Sequence, residues 1–158
     1  MSDHNQNPSS DDSWQKLAIS YNEFDVLVTD INEEELVDIG HDNKFEHLSA
    51  GSFSSPAFPV NGIIHGLNIR YMVPLVCQLA GKPNSQAINV WFLVDTNSPF
   101  TCLTMKSLEA FFGQGNATRG LYSFAIQFVN ILGADAMRKL ELSIVVDWKK
   151  ERFQLVNQ

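Results

Sequence analysis

Three features are scarce in this chain of 158 residues, and each scarcity excludes a class of protein. There are two cysteines, Cys77 and Cys102, too few for a framework of disulfides, so we expect two buried, reduced thiols. No apolar run approaches the roughly 18 residues that span a bilayer, which predicts no membrane partner. Lys and Arg together number only 11, whereas a duplex-binding surface needs clusters of them, so we expect no nucleic-acid partner.

Targeting signals and cofactor motifs are also missing from the sequence. The first twelve residues are polar and acidic and lack the basic and apolar regions of a signal peptide, which predicts an intracellular protein, cytoplasmic or nuclear. The four histidines do not stand at metal-ligand spacing with either cysteine, and we expect His41 and His47 to lie in a solvated polar segment. No phosphate-binding glycine loop occurs. The sequence therefore predicts neither a metal nor a cofactor.

The net charge of −7 is distributed unevenly along the chain. Residues 1–50 contain twelve acidic and two basic residues, whereas residues 51–158 contain six acidic and nine basic ones. The sign changes at residues 49–56, whose Ser, Gly and Pro are typical of a linker. We predict an acidic, partly disordered N-terminal arm and linker over residues 1–56 and a folded domain over residues 57–158. Within the arm, Asp30 is a candidate cap for a helical turn at residues 33–35.

The folded part has short apolar runs separated by turn signals, which is typical of a mostly-β protein. A hairpin is predicted at residues 65–68, and Pro74 within the next run suggests an edge strand or a bulge. The predicted strands lie at residues 58–64, 69–79, 87–94, 101–104, 121–129, 140–146 and 153–156, and the predicted short helices lie at residues 106–112 and 134–139. The pattern favours a barrel or a sandwich with two short helices.

The most distinctive segment is the apolar run of residues 91–94, which leads directly into Asp95 and a polar turn. A buried carboxylate costs free energy unless N–H groups and hydroxyls point at it. The pattern itself allows two interpretations. One is an Asx-turn that joins two strands, and the other is a chemical site built around Asp95.

Two motifs in this chain resemble the signatures of the retropepsins, the retroviral-type aspartic proteases. Residues 93–99, Leu-Val-Asp-Thr-Asn-Ser-Pro, resemble the first signature except that Asn97 stands where the family has Gly. Residues 130–137, Asn-Ile-Leu-Gly-Ala-Asp-Ala-Met, resemble the second, and the tail of residues 142–155 is similar to the closing hairpin of such domains. The resemblance covers residues 58–156 and implies a mostly-β, retropepsin-like closed barrel with short helices, preceded by the acidic arm.

The resemblance implies a homodimer with one catalytic carboxylate from each chain. Two facing carboxylates share one proton, and the ionised one takes a proton from a water that attacks the peptide carbonyl. By resemblance Asp95 is that carboxylate, Thr96 grips the opposite subunit, and Gly133 lets a strand cross closely behind the Asp95 loop. The residues that would support the substrate and the core of the site are Ser98, Ile131, Leu132 and Gly133.

Two departures from the family pattern leave two functions open. Asn97 adds a side chain where Gly leaves space, although Asn tolerates a left-handed backbone better than most residues. The glycine-bearing stretch at residues 113–120 is also too short for a two-stranded flap over the cleft. One hypothesis is a catalytically degenerate domain that dimerises and binds a protein or peptide partner. The alternative is an active homodimeric aspartic endopeptidase in which Asp95 of each chain activates water for peptide-bond hydrolysis.

Overall fold

The computed structural model describes residues 30–116 and 129–158 of the chain, and their centre is one six-stranded sheet. The order across the sheet is β4-β3-β2-β1-β6-β5, and all neighbours are antiparallel except β3 and β4, which are parallel. The prediction of a mostly-β fold is confirmed. Within the described residues the sheet is a curled half-barrel and not a closed barrel, because β4 and β5 form its two ends. The strands are β1 Val60–His65, β2 Arg70–Cys77, β3 Ile88–Val94, β4 Ile131–Leu132, β5 Leu142–Asp147 and β6 Arg152–Asn157.

Three helices accompany the sheet in the described part of the chain: α1 Glu33–Asp42, α2 Met105–Phe112 and α3 Ala134–Lys139. The side chain of Asn32 caps α1 by accepting hydrogen bonds from two amides of its first turn, so the predicted cap at Asp30 is wrong. Gly113 ends α2 with a φ of +88°, as the sequence predicts. No helix among the described residues is both long and apolar enough to cross a bilayer.

Pro74 occupies an interior strand without disturbing it. It lies opposite Trp91 of β3, and the pairs between β2 and β1 cover only residues 70–72. At Pro74 the strand is therefore paired with β3 only. Among the described residues no strand is paired with it on the β1 side, so the amide N–H that proline lacks is not needed there. The sequence predicts an edge strand at this residue. β2 is instead a central strand that is unpaired on one side at Pro74.

Two apolar clusters lie on the two faces of the sheet. Because side chains alternate along a strand, Phe92 belongs to one cluster with Phe153, whereas Trp91 and Leu93 belong to the other. The second cluster also contains Leu36 of α1, which is fully buried. With both faces covered, β3 is almost completely buried, and this strand leads directly to Asp95.

The compact unit begins at Ile31, well before the predicted domain boundary near residue 56. Ile31 is buried in the same cluster as Trp91, and residues 48–51 run along β3 through the bonds Leu48 N to Asn89 O (2.8 Å) and Asn89 N to Ser49 O (2.9 Å). The charge pattern does not locate the boundary, because the acidic α1 also carries two buried apolar residues, Leu36 and Ile39, that lie in the same cluster as Trp91. Residues 31–56 therefore do not form a separate arm.

Several sequence-based predictions lie outside the described residues. They are the first 29 residues of the acidic, partly disordered arm predicted over residues 1–56, all but the last residue of the strand at 121–129, and the end of the glycine-bearing stretch at 113–120. The predicted strand at residues 101–104 is reduced to a single bridge between Cys102 and Ile131.

Candidate functional site

Asp95 begins a tight turn at the end of β3. The amide of Ser98 donates to the main-chain oxygen of Asp95 (3.2 Å), and the amide of Asn97 donates to the Asp95 carboxylate at Oδ1 (3.0 Å). No residue of this turn has a positive φ, so the turn does not use the tolerance of Asn97 for a left-handed backbone. Asp95 is half-buried, and Thr96 and Asn97 are exposed. The turn is thus an Asx-turn whose carboxylate remains partly open to solvent.

Strand β4 brings the second motif directly beside this turn. Leu132 pairs with Val94 in the parallel ladder, and its main-chain oxygen accepts a hydrogen bond from the Asp95 amide (3.1 Å). On its other side, Ile131 exchanges two main-chain hydrogen bonds of 2.9 Å with Cys102. The chain therefore leaves β3 at Asp95, turns, and returns to the far side of β4, which lies between the two segments.

Gly133 stands where two backbones nearly touch. A Cβ atom at this position would lie 2.4 Å from the main-chain oxygen of Phe100 and 2.9 Å from the amide nitrogen of Thr101, distances that no side chain can occupy. The neighbouring amide of Ala134 donates to the main-chain oxygen of Ser98 (2.8 Å). Glycine at residue 133 thus permits the second motif to bond directly to the Asp95 loop.

Asn130 supports the same region from within the core. Its side-chain amide donates to the main-chain oxygen of Trp91 (3.1 Å), and its side-chain oxygen accepts from the amide of Thr104 (2.8 Å). Asn130 and Thr104 are both buried. The sequence shows a signal for such a residue, since a polar side chain inside the apolar run of residues 129–132 must find internal partners.

His47 and Glu33 extend this buried polar group. The His47 side chain is fully buried, contrary to the expected solvated segment, and its Nδ1 accepts a hydrogen bond from the Trp91 amide (3.1 Å). The proton is accordingly assigned to Nε2, which lies 3.5 Å from Glu33 Oε2, close enough for attraction but not for a good hydrogen bond. The hydroxyl of Thr104 donates to the other oxygen of Glu33.

The electrostatics of Glu33 follow from these contacts. Burial by itself would raise the pKa of the Glu33 carboxyl, but His47, Thr104 and the charge of Lys106 outweigh burial and hold the pKa below its ordinary value of 4.5. Glu33 is therefore an ionised carboxylate near neutral pH that links α1 to the start of α2.

The two cysteines are free thiols, both half-buried. Burial raises the pKa of the Cys77 thiol to about 11. Burial, followed by the charge of Asp135, raises the pKa of the Cys102 thiol. Neither side chain is a thiolate near neutral pH, so neither is a candidate nucleophile. Within residues 30–116 and 129–158, no three His, Cys, Asp or Glu side chains come together as a metal site.

The predicted site residues divide into two groups. The first group is joined by hydrogen bonds and close contacts of the main chain and contains Asp95, Ser98, Leu132 and Gly133, with Ile131 beside them. Within the described residues the exposed side chains of Thr96 and Asn97 make no hydrogen bond. An open cavity of about 440 Å³ lies elsewhere, lined by residues that include His41, Phe45 and Asn89.

In comparisons with known proteins, the chain matches no family model, no curated protein and no solved structure.

Proposed function

We propose that this chain is a retropepsin-like domain that has lost proteolytic activity and acts by dimerising and binding a protein partner. The contact between the two motifs supports this proposal. Asp95 bonds through its amide to Leu132, and Ser98 accepts a bond from Ala134, so the segments that resemble the two family signatures meet in space. The resemblance requires this meeting, since the strand of the second signature should cross behind the Asp95 loop.

Asn97 supports the loss of catalysis. Its side chain is exposed in the same turn as the Asp95 carboxylate, where a glycine would leave room for substrate. In a dimer the Asn97 amide group would stand beside the two facing carboxylates and could hydrogen-bond either a carboxylate or its water. Such a bond opposes the proton transfer on which aspartic catalysis depends.

The exposed end of the turn supports pairing of two chains. Thr96, Pro99 and Phe100 are all exposed there, and Phe100, a large apolar residue, is 65% exposed beside a polar turn. Aromatic side chains of this kind contribute strongly when they are buried in an interface. Around a two-fold axis through the turn, the Asp95 carboxylates would face one another and share a proton.

The state of the Asp95 carboxylate favours the second candidate, an active homodimeric aspartic endopeptidase. Within the described residues it forms no ion pair, and the Asn97 amide is its hydrogen-bond donor. A half-buried carboxylate with one donor can still take a proton from water. The turn around it also needs no left-handed residue, so Asn97 does not distort it.

A cleavage assay separates the two candidates. The wild type, Asp95→Ala and Asn97→Gly are incubated with a mixed peptide substrate at mildly acidic pH, with and without pepstatin, and Asn116→Gly serves as the control for an exposed Asn-to-Gly change in a turn. The degenerate domain predicts equal background for wild type and Asp95→Ala. Pepstatin-sensitive cleavage that Asp95→Ala abolishes would establish the endopeptidase. Light scattering that finds only a monomer would contradict both candidates.

A further inference from the structure

Thr101 joins the Asp95 loop to the first turn of α3 through one hydroxyl group. Its Oγ1 donates to Asp135 Oδ1 across 2.7 Å and accepts a hydrogen bond from the amide of Gly133 across 3.0 Å. Asp135 Oδ1 also accepts from the amide of Ala136 (2.7 Å). The carboxylate is thereby fixed at the start of a helix, where a negative charge is favoured.

The Thr101 bonds complete a series along the second motif. Residues 132–135 each make a hydrogen bond to the loop. These bonds hold the loop at its start (Asp95), in its middle (Ser98) and at its end (Thr101). The bonds at Asp95 and Ser98 join main-chain atoms and need no side-chain group. The bonds at Thr101 depend on two particular side chains, so a substitution can remove them and leave the donors and acceptors of the main-chain bonds in place.

We propose that Thr101 and Asp135 are positioning residues that set the orientation of the Asp95 carboxylate. The carboxylate is bonded to the Asn97 amide (3.0 Å) in an exposed turn, so a displacement of the loop displaces the carboxylate with it. That two Asp95 carboxylates face each other in a dimer rests on the proposed function. The hydrogen bonds between Thr101 and Asp135 do not depend on it.

The charge of Asp135 strengthens its hydrogen bond with Thr101. The Thr101 hydroxyl, opposed by slight burial and aided by nearby amides, holds the pKa of Asp135 below its ordinary value. A hydroxyl that donates to an ionised carboxylate makes a stronger bond than one between neutral groups. Because both side chains lie near the surface, the pair can restrain the loop while contributing little to the stability of the core.

Amide hydrogen exchange tests the pair directly. Thr101→Val keeps the shape of the side chain and removes the hydroxyl, Thr101→Ser keeps the hydroxyl, and Asp135→Asn removes the charge. We expect exchange of the Asn97 and Ala134 amides, whose own acceptors are unaltered, to accelerate about tenfold in Thr101→Val, less in Asp135→Asn, and not in Thr101→Ser.

A distant exposed pair supplies the control for this experiment. Asn61→Ala removes the hydrogen bond of 2.8 Å between Asn61 and Gln154, and it should leave the loop amides unchanged. Unchanged exchange of the Asn97 and Ala134 amides in Thr101→Val would overturn the proposal. So would an equal acceleration of amides in β1 and β6, since that would indicate only a loss of global stability.

The carboxyl-carbon resonance of Asp95 supplies the second readout, because its chemical shift reports the hydrogen bonds of the carboxylate. We expect this chemical shift to change more in Thr101→Val than in the control Asn61→Ala, and to return to the wild-type value in Thr101→Ser. An unchanged resonance in Thr101→Val would overturn the positioning role. Light scattering of the wild type tests the dimer separately. A monomer would reject the proposed dimer alone, because a changed resonance in Thr101→Val would still support the pair.

Discussion

Asn130 and Trp91 are joined by a hydrogen bond of 3.1 Å in a part of the core that solvent does not reach. His47 accepts a bond from the amide of the same tryptophan (3.1 Å), so two side chains satisfy both main-chain groups of Trp91. Because those groups point away from β2, Trp91 offers none to Pro74, its partner on that strand. One relationship thus explains both a buried asparagine and a proline in the centre of the sheet.

Replacement of Asn130 should be among the most destabilising single changes in the chain. Asn130→Ala leaves the Trp91 oxygen and the Thr104 amide buried without partners, and we expect the free energy of unfolding to fall by about 3 kcal/mol. Urea unfolding measures this change, with the exposed Asn61→Ala as control, expected to cost less than about 0.5 kcal/mol. A loss as small as that of the control would mean that the two main-chain groups find other partners.

Acidification should weaken the protein through Glu33. Its folded pKa lies below the ordinary value of 4.5, so the carboxylate stabilises the fold above that value, and the contribution is lost as the pH falls through the folded pKa. We expect Glu33→Gln to lower the urea midpoint near neutral pH and to reduce its further fall below about pH 4.5. The exposed Glu34→Gln in the same helical turn is the control. Parallel pH profiles for Glu33→Gln and wild type would contradict this role.

Gly133 should not tolerate even alanine. The new Cβ would meet the main-chain oxygen of Phe100 at 2.4 Å, and a backbone atom cannot move aside as the end of a side chain can. We expect Gly133→Ala to cost about 2 kcal/mol and to shift the amide resonances of Ser98 and Ala134. Thermal unfolding and an NMR spectrum test the two effects, and wild-type values in both would show that the two segments can separate freely.

Residues 31–51 should be indispensable for folding. A chain of residues 30–158 keeps Leu36 in the core and keeps the bonds between Ser49 and Asn89, whereas a chain of residues 52–158 loses both. We expect cooperative urea unfolding and a near-ultraviolet signal from Trp91 only in the longer chain. Cooperative unfolding of the shorter chain would restore the boundary near residue 56.

The parts of the fold that the sequence predicts well are those with local signals. The β1–β2 hairpin has turn residues between two apolar runs, and α2 ends at Gly113, so each element lies within a few residues of its prediction. Both features depend on neighbours in the chain. The contact between the two motifs joins distant residues such as Asp95 and Leu132, and only the resemblance to the retropepsins implies it.

The parts that the sequence does not predict depend on distant partners. An acidic helix is compatible with either a solvated arm or a packed element, and only the apolar surface of the sheet decides between them. In the sequence, His47 likewise stands in a polar segment that is typical of a solvated histidine. Its partner, the amide of Trp91, lies 44 residues later in the chain. Charge composition describes which residues face water, and it does not locate a domain boundary.

The satisfied edge of β3 also has a consequence for the order in which the chain folds. His47 and residues 48–51, which lie along the first part of this edge, are synthesised before β3, whereas Asn130, which bonds the Trp91 oxygen, follows 39 residues after Trp91. During synthesis the end of the strand, from the Trp91 oxygen to Val94, therefore leaves the ribosome with an edge that the nascent chain cannot yet close. Closure of such long loops slows folding, and an apolar strand with an unpaired edge is prone to aggregate in the meantime.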